Sequence, residues 1–178
     1  MEDPPFDTMG SRISQSALLS YFTAVQPFAE STLPAGALAR QLAEIPLTTP
    51  GQAGSIRLGD TRDIAALRFT ARCLKPLDRE VLAPIIAGRW LEGFDGAAVL
   101  KQITCPALLL QADLSVGGML TDDDAAEAER LMSDCSRIRL PKVGHQIHWL
   151  HTETCLRLVN SFLESLEVTA METSHGHE

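Results

Sequence analysis

The sequence predicts an α/β chain: a largely helical stretch followed by a short open parallel sheet. Three observations carry this. Residues 11–102 show apolar positions almost only at helical spacing. The run CPALLLQ at 105–111 is continuously apolar and bounded by Pro106 and a polar loop, as in a strand buried on both faces. From 106 to 166 the order is strand, loop, helix, strand, loop, helix, which is the grammar of a parallel sheet.

The elements follow in order. Residues 1–10, MEDPPFDTMG, read as the end of a strand running into a loop. A first helix is expected after Ser11 or Ser14, either of which can cap it, with Ile13, Ala17, Leu18, Tyr21, Phe22 and Val25 as its stripe and Pro27 as its stop. A second runs over 34–44 with Leu38, Leu42 and Ile45 on one face. Residues 48–58, with Pro50, Gly51 and Gly54, read as a turn-rich linker. Helices are expected near 60–73 and 78–87, capped by Asp60 and Asp78, and a short one over 95–102. After the strand at 105–111, Thr121 caps an acidic helix reaching Met132, whose three leading aspartates suit the macrodipole. A strand at 136–140, a loop carrying His145 and a helix over 152–166 complete the pattern; 167–178 reads as a disordered tail. The predicted organisation is thus 1–10, 11–102, 103–166 and 167–178.

The 178 residues carry a formal charge of −8 and are 45% hydrophobic. Acidity argues against nucleic acid and anionic membranes as partners. No apolar run is long enough to span a bilayer, and MEDPPFDTMG lacks the basic and apolar regions of a signal peptide. Cys73, Cys105, Cys135 and Cys155 form no C-x-x-C pair, so they are expected as small buried hydrophobes in a reducing cytoplasm. A cytoplasmic protein without metal or organic cofactor is the expectation.

The segment LPKVGHQIHW at 140–149 is the most telling. A strand end gives an imidazole a rigid mount, and Gly144 removes bulk beside it, as for a general base displayed at the carboxyl edge of a sheet. His145, His148 and His151 form H-x-x-H-x-x-H, but no nearby cysteine or carboxylate completes a tetrahedral set, so no metal is expected and His148-Trp149 is read as packing.

Together the ITCPALLL run at 103–110, the loop and helix after it, and GHQIHW at 144–149 resemble the C-terminal half of the α/β-hydrolase fold family. The resemblance implies a partial α/β-hydrolase fold: residues 1–10 as the end of a core strand, 11–102 as a helical cap, and 103–166 as the last two parallel strands with their helices. It also implies His145 as the triad base. The acid is left between Asp113, just past the first strand, and Glu2 or Asp3 at the preceding strand end; Ser115 stands where the family's acid most often lies. Tyr21, Phe22, Phe28, Trp90 and Phe94 would line an apolar pocket or simply pack in the core. Asp122, Asp123 and Asp124 read as first-turn charges.

The family's Gly-x-Ser-x-Gly nucleophile elbow is not in this sequence; Gly54-Ser55 and Gly10-Ser11 have the wrong spacing and no strand before them. The expectation is therefore a C-terminal fragment of a serine hydrolase acting on esters or related bonds of small apolar substrates. The alternative is a non-catalytic remnant or partner-binding protein. Two strands rarely stand alone, so self-association through an open sheet edge is also expected.

Overall fold

The computed structural model describes residues 1–48 and 53–175. The chain divides into two compact units: Asp7–Phe94, and a second made of Met1–Phe6 with Asp95–Glu178. The boundaries fall a few residues before those predicted at 10/11 and 102/103. The second shifts because the helix at 96–101 buries Leu100 against Leu109, Leu120 and Leu131 of the strand-bearing unit.

The unit Asp7–Phe94 is helical. Helix α1 is Ala17–Val25, and α2 is Ala35–Ala43. Neither Ser11 nor Ser14 caps α1. Asp7 accepts the Ser11 hydroxyl, and Ser16, in extended conformation, accepts the Leu18 N–H at 3.3 Å. Helix α2 buries Leu38, Ala39 and Leu42, as its spacing predicts, while Arg40 and Gln41 face outward. The expected linker is part of a hairpin: β1 (Pro46–Leu47), just before it, pairs antiparallel with β2 (Ile56–Arg57) near its end. Its residues Pro50 and Gly51 lie outside the described residues. Helix α3 is Leu58–Thr61 and α4 is Ile64–Leu74. The α4 cap is Asp63, not Asp60, because Asp60 faces Arg57 at 3.0 Å while Asp63 accepts the Ala66 N–H at 2.8 Å. Leu67, Ala71 and Leu74, at i, i+4 and i+7, form the buried face of α4. Asp78 caps a single 3-10 turn, and α5 follows at Ala83–Ile86. Tyr21, Phe22 and Phe28 pack on this core, whereas Trp90 and Phe94 are exposed.

In the strand-bearing unit, Asp95 caps α6 (Gly96–Lys101). Strand β3 (Ala107–Gln111) pairs in parallel with β4 (Cys135–Arg139), Ala107 opposite Cys135 and Gln111 opposite Arg139. On its other side β3 takes residue Glu2 in a parallel bridge: Leu110 N–H donates to the Met1 carbonyl at 2.9 Å and Asp3 N–H to the Leu110 carbonyl at 2.7 Å. The alternation of a strand then explains the apolar run. Leu109 faces α6 and α7 (Asp122–Leu131); Leu108 and Leu110 face the opposite layer with Ile147, Leu158, Val159 and Phe162. The alternating strand and helix grammar of 106–166 is thus that of a mixed α/β unit. Thr121 caps α7 through the Asp124 N–H at 3.1 Å.

Two segments depart from expectation here. Residues 147–150, expected as loop, form α8 (Ile147–Leu150), pinned by fully buried Ile147. The final helix, α9, is Thr152–His175 rather than 152–166. Glu, Ala and Met are good helix formers and neither glycine nor proline interrupts 167–175, so the expected disordered tail is helical that far; 176–178 lie outside the described residues. None of the cysteines is fully buried, although Cys135 and Cys155 pack at the margin of the core. Cys73 lies on the outward side of α4, Cys105 precedes Pro106, and both are exposed; Cys135 and Cys155 are half-buried. Among the described residues no helix is long and apolar enough to cross a membrane.

Candidate active site

Three chain segments end on the carboxyl edge of the parallel sheet. Residues 1–3 bring Asp3, the loop after β3 brings Asp113, and the loop after β4 brings His145. Side chains at such an edge project into the crevice where α/β sheets bind ligands.

Asp3 is 0% exposed. Its Oδ1 accepts the N–H groups of Ala112 at 3.0 Å and Leu120 at 3.2 Å; its Oδ2 accepts the Met119 N–H at 2.7 Å. His145 Nδ1 stands 3.0 Å from Oδ2. Burial pushes the carboxyl pKa up. The bond from His145 and those from the Ala112, Met119 and Leu120 N–H groups outweigh it, and the carboxyl titrates below its usual value. The backbone of Asp3 has φ 36°, an uncommon conformation for a residue with a Cβ and one that tends to occur where function requires it.

An ionised carboxylate only accepts, so Nδ1 carries the imidazole proton and Nε2 is left as the basic nitrogen. The Asp3 hydrogen bond raises the His145 pKa, burial works against it, and the charges of Asp3 and Glu2 add to the rise. The side chain is 40% exposed, so the ring is open to a reacting partner. Among the described residues His145 makes no hydrogen bond to a serine, threonine or cysteine side chain.

Glu2 and Asp113 do not reach His145. Glu2 turns to the next histidine of the run: His148 Nδ1 is 2.8 Å from its carboxylate, and the His148 N–H donates to Oε1 at 3.0 Å. Burial opposes ionisation of Glu2, but these bonds prevail and hold its pKa low. The pair is open to solvent, and the His148 ring lies nearly parallel to Trp149 at 6.5 Å between centroids. Asp113 accepts the Ser115 N–H at 2.9 Å, the Ser115 hydroxyl at 2.7 Å and the Lys142 N–H at 2.9 Å. The Lys142 N–H and the two Ser115 groups draw its pKa to about 2. Of the three carboxylates open in the sequence, Asp3 is the one that meets His145.

Two glycines shape this edge. A Cβ at Gly144 would lie 2.8 Å from the Val116 carbonyl oxygen, so the glycine permits a loop–loop contact; this, rather than space beside the imidazole, is what it provides. A Cβ at Gly118 would lie 2.8–2.9 Å from the backbone of Ala112 and Asp113, and the tight turn it allows aims the Met119 and Leu120 N–H groups at Asp3. Sequence reasoning named the acid–histidine pair among its alternatives and did not find these donors, whose only sign was the spacing of Gly117-Gly118 after the strand. Among the described residues no cluster of three or more His, Cys, Asp or Glu could hold a metal.

No family model, curated protein or solved structure matches this chain.

Proposed function

We propose that this chain is the acid–base part of an α/β-hydrolase of the serine type, with a partial α/β-hydrolase fold in which Asp7–Phe94 is the cap. His145 is the general base, Asp3 is the acid that orients it, and the nucleophile is a serine outside this sequence. One observation carries the reading: a fully buried carboxylate, held by three backbone N–H groups, faces Nδ1 of a histidine whose other ring nitrogen has no hydrogen-bond partner among the described residues.

Nε2 takes the serine hydroxyl proton as the oxygen attacks an ester carbonyl, and returns it to the departing alcohol. In deacylation it takes a proton from water, whose oxygen attacks the acyl-serine, and returns it to the serine. Asp3 stays ionised throughout and stabilises the imidazolium between these steps. The exposed Trp149 and Leu150, on the helix after His145, favour a small apolar substrate. The scheme needs no metal or organic cofactor.

The test is covalent labelling. Polypeptide carrying this sequence is isolated from its source cells, treated with a fluorophosphonate probe and mapped by mass spectrometry. The expected result is one labelled serine outside these 178 residues, with labelling slowed on the order of 10³-fold or more by His145→Gln. No labelled serine, or labelling indifferent to His145→Gln, overturns the reading.

A second reading, a non-catalytic partner-binding protein, is favoured by the absence of a nucleophile hydrogen-bonded to His145 among the described residues. Self-association through an open sheet edge belongs to it. Failure of labelling together with a defined oligomer in sedimentation selects it.

A further inference from the structure

We propose that Asp113 is a positioning residue for His145: it locks the loop after β3 to the loop after β4 and so holds the imidazole on Asp3. The proposal rests on the reading of His145 and Asp3 as a functional pair.

Asp113 touches neither member, yet both are built on what it holds. Its own loop supplies the donors that fix Asp3, from Ala112, Met119 and Leu120. Within that loop its carboxylate takes both Ser115 groups, and its carbonyl accepts the Gly118 N–H at 2.9 Å. Across to the other loop, its N–H donates to the Val143 carbonyl at 2.7 Å and its Oδ2 accepts the Lys142 N–H at 2.9 Å. Gly144 then passes against the Val116 carbonyl, and the next residue is His145. Three consecutive residues ahead of the imidazole are thus tied to the segment that cradles Asp3.

Lys142 shows what the clamp does. Its φ is 61°, in the left-handed region that a residue with a Cβ rarely enters. A charge-assisted hydrogen bond from its N–H favours that conformation. With its pKa drawn to about 2, Asp113 remains charged wherever His145 titrates. Without the carboxylate, Lys142 relaxes toward ordinary backbone angles, and the turn that delivers His145 opens.

The test reads the imidazole directly, by ¹⁵N NMR of the His145 ring at a pH above its titration, with the signal assigned by its loss in His145→Gln. In the unaltered chain the proton sits on Nδ1. Asp113→Asn keeps the side-chain shape and one acceptor oxygen but cannot serve Ser115 and Lys142 together. The expected result is a shift of the proton toward Nε2, the tautomer that a free neutral imidazole prefers. Adding Lys142→Gly, which enters the left-handed region without help, restores the Nδ1 form. Gly144→Ala forces the loops apart by another route, shifts the tautomer likewise and is not restored by Lys142→Gly. If Asp113→Asn does not fold, Gly144→Ala alone decides. An Nδ1 tautomer retained in folded Asp113→Asn, or in Gly144→Ala, overturns the proposal. No nucleophile is needed for this readout, so failed serine labelling sinks the hydrolase reading without touching the clamp, and the reverse also holds.

Discussion

His145 Nδ1 meets Asp3 Oδ2 at 3.0 Å across 142 positions of sequence, and the carboxylate at the other end of that bond is fully buried. A buried anion costs several kcal/mol unless donors surround it, and removing its partners or the anion itself leaves the remainder exposed to that penalty. Asp3→Ala leaves three backbone N–H groups and the imidazole without their acceptor. We expect it to cost the strand-bearing unit about 3 kcal/mol or more, read from the midpoint of urea unfolding; a loss below about 1 kcal/mol would contradict the assignment.

Glu2 sits beside Asp3 in the chain and also faces a histidine, but in the open. Its pair with His148 leaves 64% of the histidine side chain exposed. Exposed pairs contribute at most about 1 kcal/mol. Glu2→Gln should therefore shift the unfolding midpoint little and leave the ¹⁵N pattern of His145 on the Nδ1 tautomer.

The Asp3–His145 pair makes stability depend on pH at two ends. Burial opposes ionisation of Asp3, but its donors prevail, so its folded pKa is lowered. That contribution is complete above about pH 4 and is lost as pH falls through the lower folded value. The Asp3 hydrogen bond raises the His145 pKa above its ordinary value. Its contribution is complete below about pH 6.5 and is lost as pH rises through the raised value. Urea midpoints measured in pH steps should peak between these limits. His145→Gln should flatten the alkaline slope and make the acid slope shallower without removing it, because the three backbone N–H groups still hold Asp3 low.

Gly118 carries the turn that aims two N–H groups at Asp3. Gly118→Ala places a methyl within 2.8–2.9 Å of backbone atoms, which cannot swing aside as a side-chain tip can. We expect a loss of about 1–3 kcal/mol and faster hydrogen exchange at the Met119 and Leu120 amides. Unchanged exchange there would separate the turn from the carboxylate.

Leu109 is the inward residue of β3 on the α6–α7 side and is 0% exposed. Leu109→Ala should cost about 2–5 kcal/mol. Leu150→Ala, at a side chain 68% exposed, should stay within about 0.5 kcal/mol by the same measurement.

How much of this was legible depended on distance along the chain. The apolar run ending at Gln111 announced a central strand, because burial on both faces leaves no room for alternation. Thr121 before three aspartates announced α7, and Leu38 with Leu42 announced the inner face of α2. Local competition blurred other ends. Ser11 and Ser14 were as good caps as Ser16 until Asp7 took Ser11, and Asp60 was as good as Asp63 until Arg57 took Asp60. The hairpin of Pro46–Leu47 with Ile56–Arg57 was too short to show a period. The choice among Asp113, Glu2 and Asp3 lay beyond local reading altogether. Asp113 lies two residues before Ser115, where the family's acid most often stands, and it is claimed by Ser115 and Lys142 instead of His145, a preference set by turn geometry and by the meeting of two loops.

The strand-bearing unit is discontinuous: Met1–Phe6 belong to it, and the whole of Asp7–Phe94 intervenes before it resumes. On the ribosome, Asp3 emerges long before the amides of Ala112, Met119 and Leu120 that it must receive, and longer still before His145. The helical stretch between can condense first, as local contacts form faster than distant ones. Its folding would also shorten the effective loop that must close for Glu2 to find Leu110. Assembly of the acid–histidine pair is then a late event, completed only after His145 has been made, and a destabilised helical unit would slow the appearance of the site without altering a single residue in it.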